Sequence, residues 1–424
     1  MNYKTVYVDK EISEIVGLFK NGLTLDYFDF RFGSKNLGSL IKKMIKYKML
    51  VKVFENELED LHLLSDNFTS TPDITGMYVM LTDLCNYACK YCFVESPLPK
   101  NHNFLMMKVS TAKKAIRRFG QWSNKNFVRS IIFCGGEPLL NKKTLYAVLE
   151  EIDSELQNEN LKLQVITNGS LVDREFANVA RLHNLKVSVS IDGMANFHNS
   201  ARVYQDGTAT HEDAVKGYNI LKDAGVSVGV SMTVGFEHVG HLVENVKWLV
   251  DNLKIKSLGF NTLMDVDKNT VVPVEYVKKV NSEMIEAFKI LRDLGIYEDR
   301  LMRKIESFIE GTPYLHDCSG CGHQIVVAPN GNIGVCHGYC GWKKFFVKPT
   351  KNFKPQEHEY WKEWIKRSPI NMPQCYDCEA LGICGGGCPC SADTRNGSIW
   401  CVNENFCHHS KAVLYWMLEE IYKN

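Results

Sequence analysis

"CNYACKYCF", residues 85–93, sets three cysteines within eight positions, with a tyrosine directly before the third. It follows "GMYVMLT" (76–82), a short apolar run that reads as a buried β-strand. A loop leaving the C-terminal end of a parallel strand is where such sheets carry their chemistry. Three thiolates also differ in kind from four. Four occupy every position of an iron–sulfur cubane, whereas three leave one iron open to a substrate or cofactor. Structural zinc would need a fourth ligand close by, and His102 is the near candidate.

Outward from this stretch, apolar runs alternate with helical patterns. Further strands are expected at "VRSIIF" (128–133), "LQVIT" (163–167), "KVSVSI" (186–191), "VSVGVSMT" (226–233) and "SLGFNTL" (257–263). Helices are expected at "VSTAKKAIRRFGQW" (109–122), "KKTLYAVLEEIDSEL" (142–156) and "AVKGYNILKDAG" (214–225). Strands separated by helices favour a parallel sheet. Six such units over residues 76–270 give an α/β fold, a partial (β/α)6 TIM-like barrel open on one side. Residues 271–312 read as a helical bridge, and 313–424 as a cysteine-rich C-terminal domain.

Residues 1–75 form a small opening segment that ends at the loop "NFTSTPDITG" (67–76). Its stretch "KNLGSLIKKMIKYKMLVK" (35–52) carries Lys35, Lys42, Lys43, Lys46, Lys48 and Lys52 and no carboxylate, and the acidic "ENELED" (55–60) follows.

The 424 residues exceed one ordinary core and suggest two or three domains. Their 50 basic and 49 acidic side chains nearly cancel, which argues against nucleic acid or an anionic membrane as partner. No apolar run is long enough to span a bilayer, and the polar start lacks a signal-peptide core, so the cytoplasm is expected. In a reducing compartment, 15 closely spaced cysteines indicate metal ligation or redox chemistry.

Cys85, Cys89 and Cys92, with Tyr91 in the aromatic position, resemble the Cys-x3-Cys-x-aromatic-Cys motif of radical S-adenosylmethionine (SAM) enzymes. In that family the open iron of a [4Fe–4S] cluster is chelated by the amino and carboxylate groups of SAM. One electron then cleaves SAM to a 5′-deoxyadenosyl radical that abstracts hydrogen from the substrate. "CGGEP" (134–138) is similar to the family's Gly-Gly-Glu-Pro motif, in which Glu137 would accept from the SAM ammonium while Gly135 and Gly136 permit close backbone approach. "TNGS" (167–170) and "SIDG" (190–193) resemble the edges around the ribose and carboxylate, with Asn168, Ser190 and Asp192 as contacts and Arg202 as a carboxylate or substrate partner.

The tail resembles the SPASM domain, which holds two auxiliary [4Fe–4S] clusters. That resemblance implies an inner cluster on Cys318, Cys321, Cys336 and Cys388 and an outer one on Cys375, Cys378, Cys384 and Cys407, three clusters in all. Cys134, Cys340, Cys390 and Cys401 remain, with Cys401 a rival to Cys407. A zinc ribbon on the pairs Cys318/Cys321 and Cys375/Cys378 is the alternative, and it leaves the other tail cysteines without a role.

SPASM enzymes modify peptides or proteins. The resemblance thus implies a maturase that installs an oxidative modification, such as a thioether cross-link, in a ribosomally made peptide. Residues 1–75 resemble the end of the winged-helix leader-recognition domains of such maturases, where an extended leader adds to a sheet edge. A flavodoxin or ferredoxin would supply electrons. Anaerobic sulfatase maturases are also similar across barrel and tail, but there an acidic base follows the Gly-x4-Cys motif, and here His337 stands in its place. Cys340 is a further candidate for binding or relaying a substrate radical. A cysteine-rich zinc or iron–sulfur scaffold without catalysis is the non-enzymatic reading.

Overall fold

The computed structural model describes residues 8–21, 38–47, 49–50, 57–96, 98, 101–156, 160–265, 271–340 and 344–423. Ten strands are described: β1 Gly76–Thr82, β2 Arg129–Gly135, β3 Leu161–Thr167, β4 Lys186–Ser190, β5 Val228–Val234, β6 Ser257–Thr262, β7 Tyr297–Glu298, β8 Gln324–Val327, β9 Ile333–Gly334 and β10 Phe346–Val347. They form one sheet in the order β10-β9-β8-β1-β2-β3-β4-β5-β6-β7. From β8 to β7 every pairing is parallel, while β9 and β10 are added antiparallel.

The six expected strands are all present, and the sheet is the parallel sheet of a partial barrel that does not close on itself. Two parallel members escaped the sequence reading. Strand β7 is only two residues long. Strand β8 comes from the cysteine-rich tail and pairs with β1 from Gly76↔Gln324 to Val79↔Val327. The tail therefore continues the barrel sheet directly beside the strand that carries the cysteine loop.

Alternation along β1 separates the two faces of the sheet. Met77, Val79 and Leu81 join Ile131 and Phe133 of β2 in the main core. Against them pack Ala112, Ala115, Ile116 and Phe119 of α4 (Val109–Trp122) and Leu145, Val148, Leu149 and Ile152 of α5 (Lys142–Glu155). Tyr78, Met80 and Cys134 point to the opposite, inner face and meet Val326 of β8. Farther round, the inner face is polar. Gln164 donates to Ser188 at 2.8 Å, and Asn261 to Ser231 at 2.9 Å.

Among the described residues three helices precede the barrel: α1 Lys10–Gly17, α2 Gly38–Lys46 and α3 Glu57–Phe68. On α2, Ile41 and Met44 are buried while Lys42, Lys43 and Lys46 are exposed. The acidic passage is helical from Glu57 onward. Residues 51–56, and Lys35, Lys48 and Lys52 of the basic stretch, lie outside the described residues. Short helices α6 (Arg174–Leu182), α7 (Ala195–Ala201) and α9 (Leu242–Trp248) were not anticipated, whereas α8 (His211–Asp223) was.

The helical bridge is α10 (Val274–Asp293) and α11 (Asp299–Glu310). Beyond it come α12 (Glu359–Ile365), α13 (Leu381–Cys384), α14 (Pro389–Asn396) and α15 (Glu404–Lys423). Helix α15 is tied back to α10 by His409 and Asn281, 2.9 Å apart, and by Arg292 and Glu420 at 3.3 Å. Among the described residues no helix is long and apolar enough to cross a membrane.

Candidate active site

The cysteine loop leaves β1 at its C-terminal end and is pinned from two sides. Ala88 and Lys90 donate their amides to Val203 and Ala201, at 2.8 and 2.9 Å, and Gln205 reaches the Tyr87 carbonyl at 2.9 Å. Backbone N–H groups aim at two of the sulfurs: Tyr87 at Cys85 and Glu95 at Cys92, each at 3.4 Å. Such donors favour the thiolate form. Burial opposes it and pushes the Cys85 thiol up to about 12 and the Cys89 thiol up to about 11. A coordinating metal reverses that balance, since a metal-bound thiol is deprotonated outright.

Gly135 and Gly136 do allow a close backbone approach, but to the cysteine loop itself. A Cβ on Gly136 would stand 2.2 Å from the Leu84 carbonyl oxygen, and one on Gly135 (φ +147°) would stand 2.1 Å from that of Thr82. The same contact is held by Gly136 N–H to Thr82 O at 2.8 Å and Glu137 N–H to Leu84 O at 2.9 Å. The Glu137 side chain is fully buried, and burial pushes its carboxyl up to about 7. It accepts from the Leu139 amide (3.0 Å), the Thr167 hydroxyl (2.7 Å) and the Asn168 amide (2.8 Å). One lone-pair position remains for a ligand ammonium. Asn168 Nδ2 bonds Asn86 at 2.8 Å and approaches Cys85 Sγ at 3.9 Å, so "TNGS" meets the cysteine loop.

Tyr91, Asp192 and Arg202 form one buried group. Arg202 clamps Asp192 with Nε at 2.8 Å and Nη2 at 3.0 Å, the Tyr91 hydroxyl donates to the same carboxylate, and the guanidinium lies 5.3 Å over the Tyr91 ring. The Thr233 amide adds a bond to Asp192 at 2.8 Å. Burial alone would raise the Asp192 carboxyl, but the Arg202 charge outweighs it and holds the group below the usual carboxylate range. Asp192 and Arg202 neutralise one another and brace Tyr91. Ser190 is half-buried at the C-terminal end of β4.

In the tail, Cys318 and Cys336 each lie within electrostatic reach of the other and of both Cys321 and Cys388. Cys407 lies likewise with Cys384, Cys375 and Cys378. N–H groups of Gly320, Gly338 and Ser391 aim at Cys318, Cys336 and Cys388 at 3.3, 3.4 and 3.4 Å. The spare Cys390 stands beside Cys336, because a Cβ on Gly338 would be 2.8 Å from Cys390 Sγ and 3.5 Å from Cys336 Sγ. Cys401 faces the Asn396 carbonyl. Among the described residues no three His, Cys, Asp or Glu side chains close around a single metal ion. The N–H groups turned to sulfur favour the thiolate form that a cysteine-ligated metal site requires.

His337 joins the inner face of the barrel. Its ring stacks on Tyr78 at 4.8 Å and meets Phe93 of the cysteine motif edge-on at 5.3 Å. Its Nδ1 is buried with no partner among the described residues, and burial pushes the ring down to about 4. It is therefore a weaker base than the near-neutral histidine expected from sequence. Cys340 packs against Met80 and feels the charge of Cys134, placing two spare cysteines on the inner face near Cys92.

Residues 79–253 match the Radical SAM superfamily. Over 97% of its length the chain is 23% identical to the radical SAM cyclopropyl synthase TigE of Paramaledivibacter caminithermalis, covering 90% of that protein. Over 74% of its length it is 26% identical to a cysteine-type anaerobic sulfatase-maturating enzyme of Clostridium perfringens, covering 88% of it. The solved structure of anSMEcpe with bound AdoMet and Kp18Cys peptide superposes with a TM-score of 0.70 at 19% identity, covering 82% of this chain and 98% of that one.

Proposed function

The chain carries a radical SAM domain over residues 79–253 and is an enzyme of that superfamily, and on that premise we propose that it is a maturase of a ribosomally synthesised peptide, installing an oxidative cross-link such as a thioether. The observation that carries the reading is the three-thiol loop locked onto the glycines of "CGGEP", with N–H groups aimed at its sulfurs. Cys85, Cys89 and Cys92 would hold a [4Fe–4S] cluster with one open iron. When bound, that cluster and SAM would supply hydrogen abstraction.

The chain's own residues position and shield. Glu137, fixed by three hydrogen bonds, offers its remaining lone pair to the SAM ammonium. Asn168 and Ser190 border the ligand, and the Asp192–Arg202 pair anchors Tyr91 of the cysteine loop. Tyr78, Met80, Phe93 and His337 wall off water on the β1 side. The two tail sets would hold auxiliary clusters, the inner on Cys318, Cys321, Cys336 and Cys388 and the outer on Cys375, Cys378, Cys384 and Cys407. An external flavodoxin or ferredoxin would deliver electrons, and residues 1–75 would engage the leader through the exposed lysines of α2.

Support for a peptide substrate comes from anSMEcpe, solved with a bound peptide, and support for ring-forming chemistry from TigE, a cyclopropyl synthase aligned over nearly the whole chain. The second reading, sulfatase maturation, is favoured by the Clostridium relative and weakened by the neutral, buried His337 where those enzymes place an acid.

The test is anaerobic incubation of the reconstituted chain with SAM, reductant and deuterated candidate precursor peptides. Deuterium should appear in 5′-deoxyadenosine while a peptide loses two hydrogens. Cleavage of SAM without deuterium transfer from any such peptide, together with aldehyde formation in a sulfatase peptide, would overturn the first reading in favour of the second.

A further inference from the structure

Arg367 is fully buried, and among the described residues no carboxylate pairs with it. Its nitrogens donate instead to three backbone carbonyls, of Ile399, Gly386 and, at 3.0 Å, Cys401. Two other buried cations of the fold have a carboxylate: Arg202 has Asp192 at 2.8 Å, and Lys304 has Asp317 at 3.4 Å. Carbonyl dipoles solvate a guanidinium but do not neutralise it, and a buried charge without a counter-charge is costly.

Its position says where the counter-charge lies. Gly386 stands midway in "CGGGC" (384–388), between one cysteine of the outer set and one of the inner set. The chain turns there with φ +76°, and a Cβ on Gly386 would be 2.7 Å from Arg367 Nη1. The glycine leaves room for the guanidinium and takes a positive φ that other residues rarely adopt. The Gly386 carbonyl that holds the guanidinium lies two residues from Cys384 of the outer set and two from Cys388 of the inner set.

We propose that Arg367 is the shared counter-charge of the two auxiliary clusters, seated between them by the Gly386 turn and making both easier to reduce. A cubane carried by four thiolates is net anionic, and a fixed positive charge beside it raises its potential. The inference rests on the reading that the tail cysteines hold two clusters. Arg367 is a positioning and tuning residue, since nothing places it against substrate.

The experiment is an EPR redox titration of the full, anaerobically reconstituted chain, native and as Arg367→Met and Arg367→Lys, with iron counted in each. The SAM-binding cluster is recognised by its response to added SAM. Met keeps the bulk and loses the charge, whereas Lys keeps the charge and loses the three-carbonyl clamp. Two results support the proposal: both auxiliary potentials fall in the Met variant and stay near native in the Lys variant, or the auxiliary iron is lost with Met and retained with Lys. Met and Lys variants that behave alike, or a shift confined to one cluster, would overturn it. Failure of the premise looks different, because a native chain without auxiliary iron has no auxiliary signals to titrate.

Discussion

Replacing Gly136 with alanine should detach the cysteine loop from the sheet. The added Cβ would be 2.2 Å from Leu84 O, 2.4 Å from Leu84 C and 2.9 Å from Cys85 N, all backbone atoms that no rotamer change can move. Ordinary contact begins near 3.4 Å, so the loop must retreat by roughly 1 Å. Overpacking of this kind costs about 1–3 kcal/mol. The retreat also strains the bonds from Gly136 to Thr82 and Glu137 to Leu84, each contributing about 1 kcal/mol. A total of about 3–5 kcal/mol falls on the loop that positions Cys85. The assay is iron content after anaerobic reconstitution, with SAM binding measured alongside and Gly259→Ala as control, where a Cβ meets nothing within 4 Å. Gly136→Ala should lose about four irons, one cubane, and its SAM binding, while the control keeps both. A Gly136→Ala chain with native iron and native SAM affinity would refute the claim that this glycine seats the loop.

Cys407→Ser should remove about four irons and Cys401→Ser none, read by iron and sulfide assay, since Cys407 is grouped with Cys375, Cys378 and Cys384 whereas Cys401 faces the Asn396 carbonyl. Asp192→Asn leaves the buried Arg202 without its carboxylate and should cost roughly 3–5 kcal/mol in denaturant unfolding. Adding Arg202→Met should restore part of that loss, and a double variant no more stable than the single one would contradict the pairing. His198 is buried and neutral, pushed down to about 3 by desolvation. The unfolded chain takes up its proton below about 6.5 and the folded chain does not, so stability is full above that pH and lost as pH falls towards 3. Between pH 6 and 5, native stability should drop more steeply than that of His198→Gln, by up to about 1.4 kcal/mol per unit, as measured by urea melts. Parallel curves would show that His198 is not the proton acceptor.

The barrel was legible because its strands are unbroken apolar runs, such as "GMYVMLT", between long amphipathic helices whose periodicity is unmistakable. Strand β8 was not legible as part of it, because "QIVV" sits among cysteines and turns and its pairing with β1 spans about 250 residues of chain. Helices α6, α7 and α9, of seven to nine residues, are too short to show a period. Site residues were found where a motif named them, and their individual roles were harder to see. Nothing in "CGGEP" says that its glycines bear on the loop of Cys85, nor in "SIDG" that Asp192 is already claimed by Arg202. Arg367 lies in no motif at all. The signal that could have found it is the triple glycine between Cys384 and Cys388, an interval with no side chains that must be filled from elsewhere.

The most direct test of the account compares the native chain with a Cys85/Cys89/Cys92→Ala variant after anaerobic reconstitution, counting iron and measuring 5′-deoxyadenosine released from SAM under reduction. Three cubanes predict about twelve irons in the native chain and about eight in the variant, with 5′-deoxyadenosine from the native chain alone. Equal iron in the two chains, or tightly held zinc and no iron in either, with no SAM cleavage, would contradict it.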